Sequence, residues 1–331
     1  MPQLAKGKTY GKIADQNNRG IKGLKIELWD DDYPDADERM GVTYTDVNGN
    51  YEFRYPGGWD PRIPGSISFR PDIYITVSIK NSMGRWCELK KSRTYKNHKL
   101  SKDKKIDLKI TIAAMQQNRI PVDITKLAFK FPNAFDIRDI DPNFPGKVDM
   151  GLCGGMSAGV LHRFKHGCPV PTQTTTPHSG ALFDELFKRQ LITLSDGQVA
   201  MIWDWQRSPD IPHPHTPHSI RYRQKGQWQV LKSYIDRGKP AILCLIRMEG
   251  YLAPIWKNHQ VLAFGYEYEP TPRNLKIEIY DPNDRDGSNF LHLCLSGGRL
   301  GAHQIDSAGN RINFRGFFVM TTTDKASKDH I

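Results

Sequence analysis

The chain has 331 residues and only five cysteines, Cys87, Cys153, Cys168, Cys244 and Cys294. An odd, sparse set at irregular spacing excludes a disulfide framework as the source of stability. No Cys-x-x-Cys pair exists, which excludes a zinc site built on paired thiolates. Long apolar runs are missing too: none approaches the roughly 20 residues a membrane-spanning helix needs. The opening MPQLAKGKTYGKI lacks the apolar stretch and small-residue cleavage site of a secretory signal. Residence in the cytoplasm, or export by a route that uses no such signal, is therefore expected. Although the net charge is +11, no nucleic-acid-binding motif accompanies it. Nothing in the sequence calls for a cofactor.

What is present is ordinary globular material, 38% hydrophobic and 25% charged, in a chain long enough for two cores. Residues 1–112 read as short strands with turn punctuation. Lys8 to Ile13 is a first strand, and in GLKIELWDDD Leu24, Ile26 and Leu28 alternate with polar neighbours. VTYTDVNGNYEFRY predicts a hairpin turning at Asn48-Gly49, IYITVSIK is another strand, and KKIDLKITI closes the set. Several short strands with spaced turns and almost no helical periodicity predict an all-β sandwich. The order GIKGLKIELWDDD, MGVTYTDVNGNYEF, RPDIYITV resembles the transthyretin-like domain over the first third of the chain. That resemblance implies a small two-sheet sandwich and says little about chemistry.

Two charged segments belong to this region. Between Arg85 and Lys109 lie Lys90, Lys91, Arg93, Lys96, Lys99, Lys102, Lys104 and Lys105. Such a stretch reads first as a solvated loop and edge strand, and second as an anchor for an acidic surface. Asp30, Asp31, Asp32, Asp35, Asp37 and Glu38 form an acidic loop whose spacing fits no calcium loop.

Residues 113–130 show no clear period and serve as a connector. From 131 to 331 the texture changes. Helical patterns at Met156 to Phe164, SGALFDELFKRQL and WQVLKSYIDRG precede strand patterns at PAILCLIRM, HQVLAFGYEY, LKIEIYD and FRGFFVMTTT. Helices followed by an antiparallel sheet predict an α+β domain, so the whole chain is expected to be multidomain. Trp203, Trp205 and Trp228 are expected to pack the join between the two halves, with the aromatic wall of a substrate groove as the alternative. Cys244 and Cys294, inside strand patterns, read as buried core thiols.

Nucleophilic catalysis by cysteine needs a thiolate, a base and a group that orients the base. Cys153 stands just before a helical run in which Met156, Val160, Leu161 and Phe164 repeat. Free N–H groups at a helix start favour the thiolate. Gly151, Gly154 and Gly155 allow a sharp entry and a close substrate approach, while Ser157, Ala158 and Gly159 keep one helix face narrow. His259 opens one strand pattern and Asp281 ends the next, 11 residues before and 11 after Pro270 in the turn EPTPRN. If those strands form one hairpin, the symmetry sets His259 beside Asp281 at its open end. A carboxylate there fixes the imidazole tautomer and supports imidazolium. Spacing alone does not bring Cys153 to this pair.

The segments GLCGGMSAGVLHRF, GALFDELFKRQL, NHQVLAFGYEY and IYDPN resemble a bacterial papain-like cysteine peptidase, similar to the bacteriocin-processing peptidases. The resemblance implies Cys153 as nucleophile, His259 as general base and Asp281 as orienter. It implies hydrolysis of a peptide or isopeptide bond through a thioester, with a peptide or protein as substrate. Deamidation of glutamine and cleavage of peptidoglycan cross-links fit the same residues. Such enzymes place a Gln six residues before the Cys as an oxyanion donor, and Lys147 stands there instead. The Cys153 N–H supplies one donor; Asn143, Lys147 and Asn258 are candidates for the second. A rival reading is a secreted or injected bacterial effector or binding protein whose papain-like domain is a deamidase or inactive and whose sandwich docks on a secretion apparatus. PHPHTPH brings His213, His215 and His218 together without a carboxylate or thiolate nearby and reads as a loop, not a metal site.

Overall fold

In the computed structural model, the described residues are 7–31, 36–54, 71–80, 84, 86–139, 151–211, 218–250, 253–271, 273–295 and 300–328. The chain divides into two compact units, Met1–Ala114 with Glu269–Asn274, and Met115–Tyr268 with Leu275–Ile331. Several β-sheets and a few helices make the whole an α+β chain with a sheet-rich N-terminal region.

The first unit contains β1 (Lys8–Ala14), β2 (Lys25–Asp30), β3 (Glu38–Tyr44), β4 (Asn50–Arg54), β5 (Ile73–Lys80), β6 (Trp86–Lys91), β7 (Lys104–Lys105) and β8 (Leu108–Lys109). One sheet runs β4-β1-β7 with β8 also on β1, and the other runs β3-β2-β5-β6. Alternation decides which side chains turn inward: Ile26 and Leu28 of β2, Ile73, Ile75 and Val77 of β5 and Ile13 of β1 join one apolar cluster. The expected hairpin at Asn48-Gly49 does not form as such. Its two arms belong to different sheets, β3 pairing with β2 and β4 with β1. The turn is closed locally instead: Asp46 Oδ1 accepts from the N–H groups of Asn48 and Asn50, and Gly49 takes the positive φ that the turn requires. The basic run forms β6, β7 and the turns between them, and part of its charge is engaged. Lys105 pairs with Asp107, Lys104 lies over the Tyr95 ring and Lys90 Nζ donates to the Lys109 carbonyl.

The second unit begins earlier than expected. Within the presumed connector, β9 (Gln116–Arg119) pairs antiparallel with a later strand, and α1 (Ile124–Leu127) follows. Ile120, Val122, Ala128 and Phe129 are buried in the unit's core, which explains why this segment is part of the fold. Then come α2 (Cys153–His166), α3 (Ala181–Thr193), α4 (Gln198–Arg207), α5 (Ile220–Asp236), β10 (Ala241–Ile246), β11 (His259–Glu269), β12 (Asn274–Asp281), β13 (Asp284–Cys294), β14 (His303–Ile305), β15 (Arg311–Asn313), β16 (Gly316–Val319) and α6 (Thr323–Ala326). The sheet order is β15-β14-β13-β12-β11-β10-β16, with β9 on β11. AILCLI is apolar without interruption, and β10 is buried along its whole length between β11 and β16.

Helices meet this sheet through aromatic side chains. Trp205 packs on Phe318 and Trp228 on Tyr266, both tryptophans being buried, whereas Trp203 is exposed. Cys244 and Cys294 are buried as expected. The small residues of α2 serve close packing. A Cβ on Gly155 would stand 2.1 Å from the Leu186 carbonyl oxygen of α3, and one on Gly154 would stand 2.2 Å from Gln260 Oε1 of β11. Their absence lets the N-terminal end of α2 lie directly against a helix and a strand. No helix among the described residues is long and apolar enough to cross a membrane.

Candidate active site

The entry to α2 is built by Gly151, with φ +58°, and by Asn133, whose Oδ1 accepts the Leu152 N–H at 2.7 Å. The chain then turns directly into the helix, of which Cys153 is the first residue. A helix start leaves its first N–H groups unpaired. Gln190 Oε1 takes that of Gly155 at 3.0 Å, while the Cys153 N–H has no partner among the described residues.

The hairpin of β11 and β12 performs what the 11-residue symmetry anticipated. His259 is the first residue of β11 and Asp281 the last of β12, and the two strands are neighbours. His259 Nε2 meets Asp281 Oδ1 at 2.6 Å, with both side chains at most 4% exposed. At that burial the pair is not a solvent-screened surface bridge; each partner depends on the other for its charge. Cys153 and His259 lie close enough for each to shift the other's proton affinity, and with Nε2 turned to Asp281 the second ring nitrogen is the one left for the thiol. The backbone N–H of Gln260 also donates to Cys153 Sγ, at 3.4 Å. The structure therefore brings together Cys153, His259 and Asp281.

Proton affinities follow from this enclosure. Burial resists the charge on His259, but the Asp281 carboxylate, through its charge and its hydrogen bond, and Cys153 lift it to about 9. Burial also resists ionisation of Asp281; His259, the Asn283 N–H and Gln304 outweigh it and hold the carboxyl at about 2. The Cys153 thiol feels the same burial, yet His259 and the Gln260 N–H bring it below its ordinary value. Cys244, behind it, has no such donor beside it, and burial pushes its thiol up. Of the two cysteines, only Cys153 has its thiol shifted toward ionisation, next to a histidine shifted toward protonation.

The second-donor candidates fare differently. Asn143 and Lys147 lie outside the described residues. Asn258 is fully used elsewhere: its Oδ1 accepts the N–H groups of Arg247 and Met248, and its Nδ2 donates to Gln206 Oε1 and the Ile255 carbonyl. Both amide hydrogens are spent on bracing the segments that flank His259, so Asn258 is no oxyanion donor. His213 and His215 also lie outside the described residues, and no cluster of metal-binding side chains occurs among the described ones.

Five further residues surround the three, and none of them stood out in the sequence. Asn133 bridges its two sides, accepting from Leu152 N–H and donating to Asn283 Oδ1 at 2.8 Å; the Asn283 N–H in turn donates to Asp281 Oδ1 at 2.8 Å. Gln304 on β14 donates to Asp281 Oδ2 and to Asn289 Oδ1, and Arg247 Nη2 donates to Gln304 Oε1. Uncharged amides inside short alternating segments look like any polar strand position. Beside Cys153 a cavity of about 160 Å³ is lined mainly by Phe187, Leu191, Leu194, Ile202, Ile255 and Trp256, with the amides of Gln190 and Gln260 in its wall. No charged side chain among the described residues lines it.

No protein-family model and no curated protein matches the chain. Among solved structures, a 9R-lipoxygenase from Cyanothece aligns at 12% identity with a TM-score of 0.23, over 98% of this chain and 43% of that one. A likeness at that TM-score carries no argument about fold or activity.

Proposed function

We propose that the chain is a cysteine hydrolase with a papain-like second domain and a transthyretin-like first domain, cleaving an amide bond through Cys153, His259 and Asp281. The observation that carries this reading is the buried His259–Asp281 pair, presented by a hairpin end to a cysteine at a helix start. Three residue types at three element termini serve one sequence of proton and electron movements.

The Cys153 thiolate attacks the amide carbonyl carbon and forms a carbon–sulfur bond, while the carbonyl electrons move to oxygen. The Cys153 N–H, which has no partner among the described residues, is the donor proposed for that developing oxyanion. The His259 imidazolium gives its proton to the departing nitrogen, the carbon–nitrogen bond breaks, and a thioester remains on Cys153. Neutral His259 then takes a proton from water as the water attacks the thioester. The carboxylic acid leaves and the thiolate–imidazolium pair returns. Asp281 keeps the imidazole turned and its charge supported throughout. The cavity beside Cys153 receives an uncharged, largely apolar substrate side chain; an apolar cavity of roughly 150 Å³ accepts a benzene ring. A charged side chain left unpaired there loses its hydration without return.

The test is incubation of the full chain with a mixed peptide library, reading new amino termini and glutamine-to-glutamate conversion by mass spectrometry, beside Cys153→Ala and His259→Ala. New termini support a peptidase, and conversion alone supports a deamidase. A product that persists in Cys153→Ala, or no Cys153-dependent product with either peptides or peptidoglycan, sinks the proposal.

A further inference from the structure

We infer that Gln304 is a positioning residue that holds the Asp281 carboxylate in the plane His259 requires, with Arg247 fixing the direction of the Gln304 amide. The inference rests on the cysteine-hydrolase reading above.

Asp281 has two oxygens to satisfy away from water. Oδ1 accepts from His259 Nε2 and from the Asn283 N–H. Oδ2 accepts from Gln304 Nε2, whose second hydrogen goes to Asn289 Oδ1 at 3.2 Å. The remaining atom of the amide, Oε1, accepts from Arg247 Nη2 at 3.3 Å. Asp281, Gln304 and Asn289 are each at most 2% exposed. Turning the Gln304 amide over sets Oε1 against a carboxylate and Nε2 against a guanidinium, two acceptors facing on one side and two donors on the other. Arginine donates only and stays protonated at any working pH, so one orientation survives. Arg247 itself is located by Asn258, which accepts its backbone N–H at 3.0 Å and immediately precedes His259. The contacts close a ring: Asn258 sets Arg247, Arg247 sets Gln304, Gln304 sets Asp281, and Asp281 sets the neighbour of Asn258.

A neutral donor suits this place. A lysine or arginine at 304 neutralises Asp281 and withdraws support from the imidazolium; an apolar residue leaves Oδ2 unsatisfied and the carboxylate free to turn. Among the described residues, the charged and titratable groups that interact with Asp281 are His259 on β11, Cys153 on α2, Arg247 after β10 and Tyr280 on its own strand. None of them replaces the Gln304 donor at Oδ2.

The test measures the rate at which iodoacetamide alkylates Cys153 between about pH 5 and about pH 9, in the wild type, Gln304→Leu, Gln304→Glu and His259→Ala, with thermal midpoints recorded for each. Gln304→Leu is expected to slow alkylation by about tenfold or more across the range, the size of a lost hydrogen bond to a buried charge. Gln304→Glu keeps the shape and can donate only while its new carboxyl is protonated. Its rate is expected near wild type at the acid end and falling as pH rises, because two carboxylates in contact cannot both ionise without cost. A residue that merely fills space does not produce that acid rescue. If Gln304→Leu does not fold, the pH profile of Gln304→Glu decides. Wild-type rate and profile in Gln304→Leu, or equal losses in both variants at every pH, overturn the inference. Failure of the underlying reading looks different: wild-type Cys153 then reacts no faster than Cys168, and His259→Ala changes nothing.

Discussion

Replacing Asp281 by asparagine keeps the volume and one acceptor but removes the charge that supports His259. In the wild type His259 is held at about 9 against an ordinary 6.5, a gap of about 2.5 on the pH scale and worth roughly 3 kcal/mol. Burial opposes that lift and Cys153 supplies part of it, so loss of the Asp281 charge is expected to cost on the order of 2 kcal/mol, about thirtyfold in the balance between thiolate–imidazolium and thiol–imidazole. If the Cys153 thiolate is sustained by that imidazolium, as proposed, Asp281→Asn is expected to slow iodoacetamide alkylation of Cys153 about thirtyfold at about pH 6. Peptide mapping by mass spectrometry gives the rate, with the half-buried Cys168 as internal reference. The deficit is expected to narrow toward high pH, where thiols ionise unaided. Rates within about threefold of each other at about pH 6, or equal slowing of Cys168, refute the argument that Asp281 sustains an ion pair at Cys153.

The same pair ties stability to pH in a defined direction. His259 is raised, so its contribution is complete below about 6.5 and lost as pH climbs through about 9; Asp281 is depressed, so its contribution is complete above about 3.8 and lost as pH falls toward about 2. In a Cys153→Ala background, which removes the thiol's own titration, the stability gap between parent and Asp281→Asn is expected to peak between these limits at about 2 kcal/mol, read from denaturant midpoints; a gap that does not change with pH contradicts it. Gly155→Ala forces a Cβ within 2.1 Å of the Leu186 carbonyl and is expected to cost about 1–3 kcal/mol, whereas Gly226→Ala in α5 meets nothing within 4 Å and is expected to gain up to about 1 kcal/mol. Thermal midpoints moving in the same direction count against that reading of the α2–α3 contact. Leu191→Arg, at the exposed rim of the cavity beside Cys153, is expected to lower about tenfold the ratio of inactivation by a benzyl-bearing chloromethyl ketone to alkylation by iodoacetamide; an unchanged ratio shows that the cavity receives no side chain.

What could be read from the sequence divides along the range of the interactions involved. Periodicity located α2, α3, β10, β11 and β12, because burial of a face imposes a local repeat that nearest neighbours already display. The His259–Asp281 pairing was legible for the same reason, as a hairpin converts distance along the chain into distance across two strands. The arms of VTYTDVNGNYEFRY show where that logic stops: each is a strand, and the Asn-Gly turn is real, but the partners β2 and β1 come from elsewhere. Residues 116–129 gave no period because β9 is short and polar and its partner is β11, far along the chain.

The candidate site follows the same division, and it bears on how such a site is specified. The side chains proposed to react, Cys153, His259 and Asp281, are chemically conspicuous and stand at element ends, where sequence patterns change and draw attention. Those that aim them, Asn133, Asn258, Gln304 and Asn289, are uncharged amides, and each acts through partners at least 10 positions away or through several segments at once. An amide carries a donor and an acceptor on one rigid plane, so fixing one edge fixes the other. A chain of amides therefore transmits orientation without adding charge, which is what a buried ion pair tolerates at its border. Charge at these positions competes with Asp281 for His259, and apolar replacement frees the carboxylate to turn. The geometry of the cluster is thus held by residues whose identity is physically constrained yet whose local pattern is that of an ordinary polar position in a strand or bend.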